Sequence, residues 1–280
     1  MSQDVTKAGV IGWPIDHSLS PRIFDYWLKN YGIKGLYKAY AVNDISLSKV
    51  LSSMREKGLT GLNITVPYKQ TVIKYVDQLS SCARKIGAVN TVTLQENGLL
   101  FGDNTDGFGF IENIKQNYNG INAFTGVSIV IGAGGAARSI VASLVSVGVK
   151  KIYIINRTRG NAEKLAKDIG GPISVMDWSE RHVSLADATF VVNTTTLGMN
   201  GKPPLDLRLD LLPKNALVND IVYAPIETRL LKNSKIRGNP TVDGIGMLLH
   251  QARPGFTTWF GEEPIVTEDL RNHVLAKKGD

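Results

Sequence analysis

The sequence predicts an α/β protein with two domains, one of which contains a doubly wound parallel sheet. The chain has 280 residues, which is long for a single domain. Strand-like and helix-like segments alternate along most of it, as they do in parallel sheets built from right-handed strand–helix–strand units. A glycine-rich turn, Gly132–Gly135, lies between an apolar strand and a helix. These observations favour an N-terminal α/β domain followed by a doubly wound one.

The first hundred residues predict short strands and an amphipathic helix. Phe24, Leu28 and Tyr31 follow the i, i+4, i+7 spacing of one helix face. The pair Asn97-Gly98 is typical of a tight hairpin turn. The strands predicted in this part are Lys7–Gly12, Leu36–Val42, Gly61–Val66, Val89–Leu94 and Leu99–Gly102, the last two joined by that hairpin.

The second half has the regular alternation of a parallel sheet. A continuous apolar strand comes directly before the glycine-rich turn, and a helix with the face Ile140, Leu144 and Val147 follows from about Ala136. The strands predicted here are Val127–Ile131, Ile152–Ile155, Phe190–Asn193 and Ala216–Asp220. Further helices are predicted at Gly160–Ile169, Ile245–Phe256 and about Val266–Ala276.

Composition excludes several classes of function. Lysine and arginine exceed aspartate and glutamate by 32 − 25 = 7, but the basic residues are scattered, which favours anionic small molecules over nucleic acid. The single cysteine, Cys82, excludes an internal disulfide and a multi-cysteine metal site, and the four histidines lack ligand spacing. No metal site is therefore expected.

No membrane or export segment is expected. The first twenty residues lack an apolar core of signal-peptide length. The most apolar stretch, Val127–Val149, is interrupted by four glycines and Arg138, which argues against a membrane span. The predicted location is the reducing cytoplasm.

The glycine-rich turn predicts a dinucleotide site. Gly132, Ala133, Gly134, Gly135 and Ala136 begin a GxGxxG/A pattern between a strand and a helix. Glycines permit a tight turn and close approach to a pyrophosphate, and the helix N-terminus offers free N–H groups. A purely structural turn is the alternative, but the flanking strand, helix and second strand favour the dinucleotide.

The end of the second strand of this domain predicts the choice of dinucleotide. NAD-binding versions carry an acid there, whereas an arginine accommodates the 2′-phosphate of NADP. Here the sequence reads Asn156, Arg157, Thr158, Arg159, without an acid. The alternative is that both arginines are solvated turn residues. The missing acid favours NADP.

Polar residues before the glycine-rich turn are candidates for a substrate site. Asn63 and Thr65 alternate with the apolar residues of the strand Gly61–Val66, and Lys69 comes two residues after the proline that ends it. They suit the wall of a polar cleft, but the polar face of an ordinary edge strand explains them equally well. Further on, residues 103–105 are predicted to cap a helix whose first turn contains Asp106.

Eight motifs in order along the chain resemble those of the shikimate/quinate dehydrogenase family. The matching segments are His17–Pro21, Asn63–Lys69, Gly87–Thr91, Asn104–Gly107, Gly132–Arg138, Asn156–Thr158, Asn193–Met199 and Gly244–Ala252. The resemblance implies NADPH-dependent, reversible reduction of 3-dehydroshikimate to shikimate in aromatic amino-acid biosynthesis. It also implies a substrate-binding catalytic domain, 1–106 and 244–280, and a Rossmann-type NADP-binding domain, 107–243. The C-terminal helices would return to the first domain.

The same resemblance implies a role for each site residue. Lys69 and Asp106 would form the catalytic pair, with Lys69 as proton donor. Ser18 and Ser20 would hold the substrate carboxylate, and Thr65, Asn90 and Gln251 would bind ring hydroxyls, in a pocket also lined by Asn63 and Tyr223. The adenosine 2′-phosphate end would be bound by Asn156, Arg157 and Thr158, and the nicotinamide arm by Thr195, Ile221 and Gly244. The partner is a small molecule, and the chain is expected to be a monomer or homodimer.

Two departures and two alternatives accompany this interpretation. Asn161 stands where the family often has a second arginine, and Arg159 is a candidate to replace it. Ile221 stands where methionine is frequent. A quinate/shikimate dehydrogenase that accepts NAD would be expected to carry an acid near Asn156. An inactive NADP-binding regulator would be expected to have lost Lys69 or Asp106, and both are present.

Overall fold

The computed structural model describes residues 5–120 and 124–276. The chain divides into two compact units, Met1–Gly109 with Leu248–Asp280 and Phe110–Met247. The division falls after Gly109 and after Met247. The boundaries expected from the sequence lie three and four residues earlier, after residues 106 and 243. Each unit contains one six-stranded sheet.

The described residues form twelve strands and nine α-helices, with three short 3-10 helices. The strands are β1 Thr6–Gly12, β2 Gly35–Ala41, β3 Leu59–Ile64, β4 Gln78–Leu79, β5 Thr91–Leu94, β6 Leu100–Asp103, β7 Val127–Ile131, β8 Lys151–Ile155, β9 Ile173–Met176, β10 Ala188–Asn193, β11 Leu217–Asp220 and β12 Thr241–Val242. The α-helices are α1 Ser20–Asn30, α2 Leu47–Ser52, α3 Ser81–Ile86, α4 Asp106–Asn117, α5 Gly135–Ser146, α6 Arg159–Ile169, α7 Arg229–Arg237, α8 Ile245–Phe260 and α9 Glu268–Leu275.

The sheet of the first unit is mixed, in the order β2-β1-β3-β5-β6-β4. Strand β1 runs parallel to β2 and β3, whereas β5 runs antiparallel to β3 and β6. Helix α1 begins with Pro21 in its first turn, where the missing N–H costs nothing, and it buries Phe24 and Trp27. Phe24 stacks on Tyr37 of β2 with ring centroids 3.7 Å apart. An aromatic layer therefore joins this helix to the sheet.

The sheet of the second unit is parallel throughout, in the order β12-β11-β10-β7-β8-β9. The direction of winding reverses between the two central strands, β10 and β7. The place where the carboxyl ends of these two strands meet is therefore a topological switch point. Its central strands carry continuous apolar runs because helices cover both faces of a parallel sheet. Ile129, Val130 and Ile131 of β7 are fully buried. The predicted doubly wound sheet is confirmed.

Several details differ from the sequence prediction. Strand β3 ends at Ile64, so Val66 lies beyond it and is 69% exposed rather than on the buried face. Helix α5 ends at Ser146, and Val147 is exposed rather than part of its apolar face. Both predictions were wrong because periodicity does not mark where an element ends. Across the described ranges, every helix is too short or too polar to span a bilayer.

Candidate active site

In the first unit, Lys69 lies on a turn that begins where β3 ends. The turn contains a cis peptide between Val66 and Pro67. It is anchored by Tyr68, whose buried hydroxyl donates to the backbone oxygen of Val42 at 2.7 Å. The backbone oxygen of Lys69 accepts from the N–H of Val89 at 2.7 Å. The lysine side chain is therefore presented from a fixed backbone.

Lys69 forms an ion pair with Asp106, the first residue of α4. The Nζ–Oδ2 distance is 2.5 Å, and the two side chains are 21% and 7% exposed. Within the described residues, Asp106 is the one hydrogen-bond partner of the ammonium, which leaves donors for a ligand. The predicted pair is brought together from positions 37 residues apart.

Asn90 connects this pair to the other polar residues of the first unit. Its Nδ2 lies 2.8 Å from Oδ1 of Asp106, 3.0 Å from Oγ1 of Thr105 and 3.2 Å from Oε1 of Gln251. The hydroxyl of Thr105 lies 2.8 Å from the backbone oxygen of Gln251. Asn90, Thr105 and Asp106 are at most 5% exposed. Both oxygens of the Asp106 carboxylate thus have a donor.

A second buried hydrogen-bonded chain reaches the same network from α1. The hydroxyl of Tyr37 donates to Oδ1 of Asn63 at 2.6 Å, and Nδ2 of Asn63 lies 3.3 Å from the backbone oxygen of Asn90. Burial raises the pKa of Tyr37 well above its usual range, and the hydrogen bond from Ser20 opposes this. The phenol therefore remains a donor. Tyr37 gave no signal in the sequence, where its position indicated only part of a strand.

The remaining predicted substrate residues are less closely connected. Oγ of Ser18 accepts from the backbone N–H of Ser20 at 3.3 Å. The side chain of Thr65 forms no hydrogen bond within the described ranges, and its backbone N–H donates to Ile11 at 3.0 Å. Tyr223 belongs to the second unit, where burial raises the pKa of its hydroxyl.

In the second unit, four neighbouring strands end at one level. Ile155, Ile131, Asn193 and Asp220 end β8, β7, β10 and β11 and are successive register partners across the sheet. Ligands of doubly wound sheets bind beyond the carboxyl ends of the strands. The predicted cofactor residues that follow these four ends are Gly132–Ala136, Asn156–Arg159, Thr195 and Ile221.

The glycine-rich turn has the open geometry that a dinucleotide requires. Gly132 has φ +114°, and a Cβ there would lie 2.5 Å from Oγ1 of Thr194, so a side chain is excluded. Nothing lies within 4 Å of a Cβ built at Gly134 or Gly135, which leaves room beside the N-terminus of α5. Ala133 and Ala136 are partly exposed at the same place. These residues fit a pyrophosphate.

The two arginines after β8 differ in their contacts. Arg159 pairs with Glu163 at 2.7 Å and with Asp177 at 2.8 Å. Arg157 is exposed and forms no side-chain hydrogen bond or ion pair with the rest of the described chain. Nδ2 of Asn156 donates to the backbone oxygen of Thr158 at 2.8 Å and shapes the turn. Arg157 is therefore the arginine available to a phosphate.

The predicted nicotinamide-arm residues are held by a side-chain amide on one segment and by a close backbone approach on the other. Thr195 donates from both its N–H and its hydroxyl to Oδ1 of Asn193, at 3.1 and 2.7 Å. A Cβ at Gly244 would lie 2.2 Å from the backbone oxygen of Ile221, so only glycine allows this approach. Asp220, which directly precedes Ile221, is fully buried and was not singled out from the sequence.

Comparison with known proteins identifies the family to which the chain belongs. The family model for the shikimate dehydrogenase substrate binding domain matches residues 10–92, and that for shikimate / quinate 5-dehydrogenase matches residues 117–198. A curated relative, the shikimate dehydrogenase (NADP+) of Paramagnetospirillum magneticum, is 50% identical over 99% of this chain and 100% of its own length. The chain belongs to the shikimate dehydrogenase family.

Solved structures of the family share the fold over nearly the whole chain. Shikimate 5-dehydrogenase from Thermus thermophilus, solved with NADP(H) and shikimate, has a TM-score of 0.86 at 31% identity and covers 96% of this chain and 98% of its own. Quinate dehydrogenase from Corynebacterium glutamicum, solved with NAD, has a TM-score of 0.90 at 32% identity and covers 97% and 99%. The predicted family and fold class are confirmed.

Proposed function

We propose that the chain catalyses the NADPH-dependent, reversible reduction of 3-dehydroshikimate to shikimate. Curated relatives that span nearly all of it are named NADP+-dependent shikimate dehydrogenases, so the predicted enzyme class, activity and cofactor are confirmed. The residue roles are our own proposal. The assignment of these roles rests mainly on one observation: the partly exposed ammonium of Lys69 lies 2.5 Å from the buried carboxylate of Asp106.

Lys69 is proposed to supply the proton. NADPH, when bound, supplies the hydride to the ketone carbon. Negative charge then develops on the ketone oxygen, and a donor placed beside that oxygen lowers the barrier. The ammonium donates one proton to it, which completes the alcohol, and Asp106 keeps the lysine oriented. In the direction of oxidation, Lys69 takes the hydroxyl proton back.

Around this pair, the other polar residues are proposed to fix the substrate. Asn90 hydrogen-bonds both to Gln251 and to the Asp106 carboxylate, which supports the assignment of Asn90 and Gln251 to ring hydroxyls. Ser18 and Ser20, which cluster at the start of α1, are assigned to the substrate carboxylate. Asn63, Thr65 and Tyr223 complete the proposed set.

The cofactor residues are proposed from the open ends of the second sheet. The turn Gly132–Ala136 and the N-terminus of α5 would bind the pyrophosphate. Arg157 would bind the 2′-phosphate, with Asn156 and Thr158 shaping its turn. Thr195, Ile221 and Gly244 would flank the nicotinamide arm. The absence of an acid at Asn156 supports NADP over NAD.

The deciding experiment is a two-by-two assay with shikimate or quinate and NADP+ or NAD+. We expect kcat/KM to be highest for shikimate with NADP+. Highest activity with quinate and NAD+ would instead indicate a quinate dehydrogenase, the activity named for one solved relative. No turnover with any pair, despite NADP+ binding, would indicate an inactive regulator.

We also propose a cytoplasmic monomer or homodimer that binds neither membrane nor nucleic acid. The scattered basic residues and the single cysteine support this. Light scattering at increasing protein concentration would distinguish the two oligomeric states, and a tetramer would contradict both.

A further inference from the structure

Asp220 is a buried carboxylate for which the proposed mechanism has no use. It ends β11, at the level where the neighbouring strands also end, and it is 0% exposed. Its side-chain partners in the described chain are three neutral donors: Oγ1 of Thr228 at 2.7 Å, Nδ2 of Asn193 at 2.9 Å and the backbone N–H of Val222 at 3.1 Å. Burial raises the pKa of Asp220 to about 6, against the opposing effect of these hydrogen bonds.

Two of the three donors belong to the segments that carry the proposed nicotinamide-arm residues. On one side, Nδ2 of Asn193 donates to Asp220 while its Oδ1 accepts from the N–H and the hydroxyl of Thr195. On the other side, the N–H of Val222 fixes the backbone directly after Ile221. One carboxylate therefore holds both segments.

Other backbone contacts tie the same two segments to each other. The N–H of Ile221 donates to the backbone oxygen of Asn193 at 3.1 Å, and the N–H of Asn200 donates to Ala224 at 2.8 Å. The backbone of Ile221 also lies against Gly244, where no Cβ would fit. Asp220 supplies the charged acceptor at the centre of this arrangement, and charge-assisted hydrogen bonds are roughly twice as strong as neutral ones.

We propose that Asp220 is a positioning residue for the nicotinamide arm of NADP(H), acting through Asn193 and the backbone of residues 221–222. The proposal rests on the proposed function for the identity of the ligand. It does not extend to the adenosine end, because the residues assigned to that end follow β8, and the described hydrogen bonds of Asp220 do not reach them.

The test compares two ligands that share the adenosine end. NADPH carries the nicotinamide arm, and adenosine 2′,5′-bisphosphate lacks it. In Asp220→Ala we expect the Kd for NADPH to rise about tenfold or more. This is the change that corresponds to losing one hydrogen bond to a charged group. The Kd for the bisphosphate should stay within about twofold of the wild type, because Arg157 and the glycine-rich turn are untouched.

Two further variants separate positioning from stability. Asp220→Asn keeps the shape and an acceptor, so we expect a smaller rise for NADPH, about threefold, since its hydrogen bonds are neutral. Thr228→Val removes the hydroxyl that donates to Asp220 and that caps α7 by accepting from the N–H of Leu231, and it leaves Asn193 and Val222 in place. We expect it to lower the melting temperature without changing the ratio of the two Kd values.

The outcomes decide the proposal whether or not the alanine variant folds. An unchanged Kd ratio in Asp220→Asn, and in Asp220→Ala if it folds, would overturn the role of Asp220. Equal weakening of both ligands would also overturn it, because that pattern indicates general damage to the unit. Failure of the proposed function is a separate result, since the wild type would then bind neither ligand or not oxidise shikimate.

Discussion

The two units each bury one carboxylate beside a proposed site, and they compensate its charge differently. In the first unit, Asp106 meets the Lys69 ammonium at 2.5 Å and also accepts from Asn90. In the second unit, the hydrogen-bond partners of Asp220 within the described ranges are neutral. Both residues are nearly or fully buried, at 5% and 0% exposure.

This difference indicates what each carboxylate does. An ion pair with one partly exposed member keeps a proton within reach of a substrate, which suits the chemical step. A carboxylate surrounded by neutral donors has no proton to pass on above its pKa, and its net effect is to hold those donors in place. The comparison assigns reaction to the first carboxylate and positioning to the second, and each assignment can be broken by substitution.

The largest effect is expected from Lys69→Ala. Removal of the proposed proton donor should lower kcat about 10²–10⁴-fold, with a much smaller change in KM for shikimate. Asp106→Asn should also lower kcat, and the double variant should fall far short of the product of the two losses because the pair acts as a unit. Steady-state kinetics in both directions provide the measurement.

Lys115→Ala is the matched control for this variant. Lys115 also pairs with an acid, Glu112, at 3.0 Å, but its side chain is 62% exposed. Its removal should leave kcat unchanged, because exposed pairs contribute little. Near-normal turnover in Lys69→Ala would contradict the catalytic role assigned to Lys69.

Replacing the two carboxylates by amides should change the free energy of unfolding in opposite directions. The pKa of Asp220 is raised from 3.8 to about 6, so the folded state binds its proton more tightly than the unfolded state does. Stability therefore falls as pH rises from about 4 to about 6, by up to about 3 kcal/mol. Asp220→Asn removes this penalty and should raise the free energy of unfolding at pH 7, with little difference near pH 4.

Asp106→Asn provides the contrast at pH 7. It leaves the Lys69 ammonium without its carboxylate, so the free energy of unfolding should fall. Chemical denaturation of both variants at pH 4 and pH 7 measures the signs. If Asp220→Asn were destabilised equally at the two pH values, its carboxylate would not carry the unfavourable charge inferred from its burial.

A smaller effect extends the comparison to the exposed arginines of the second unit. Arg157, which has no acidic partner among the described residues, should account for 2′-phosphate recognition. Arg157→Ala should raise KM for NADP+ about 10–100-fold, the equivalent of one charge-assisted contact, while KM for NAD+ changes little. Equal losses for the two cofactors would contradict phosphate recognition at this position.

The smallest effect is expected from Arg159→Ala. Because Glu163 and Asp177 already neutralise this guanidinium, we expect KM for NADP+ to change less than about threefold. The measurement is the same pair of cofactor titrations, with Arg157→Ala run alongside. A tenfold rise would show that Arg159 leaves its acidic partners for the phosphate and replaces the arginine absent at Asn161.

Local patterns in the sequence were sufficient to predict the elements that bury an apolar face and the glycine-rich turn between two of them. The strand before Gly132 and the helix after it follow from apolar runs and glycine chemistry, which act over a few residues. The ends of elements were less well predicted. Val66 continues the alternation of β3 in sequence, yet the turn before Pro67 places it in solvent.

The sequence by itself determined the family, the doubly wound sheet and the glycine-rich turn, and it was enough to propose Lys69 and Asp106 as a pair, because motifs and periodicity are local in the chain. Only the tertiary structure decided which polar groups meet. Tyr37 contacts Asn63, Asn90 contacts Gln251 and Asp220 contacts Asn193, across 26, 161 and 27 residues. Whether a buried charge meets an opposite charge or neutral donors depends on such long-range contacts, and no local pattern records them.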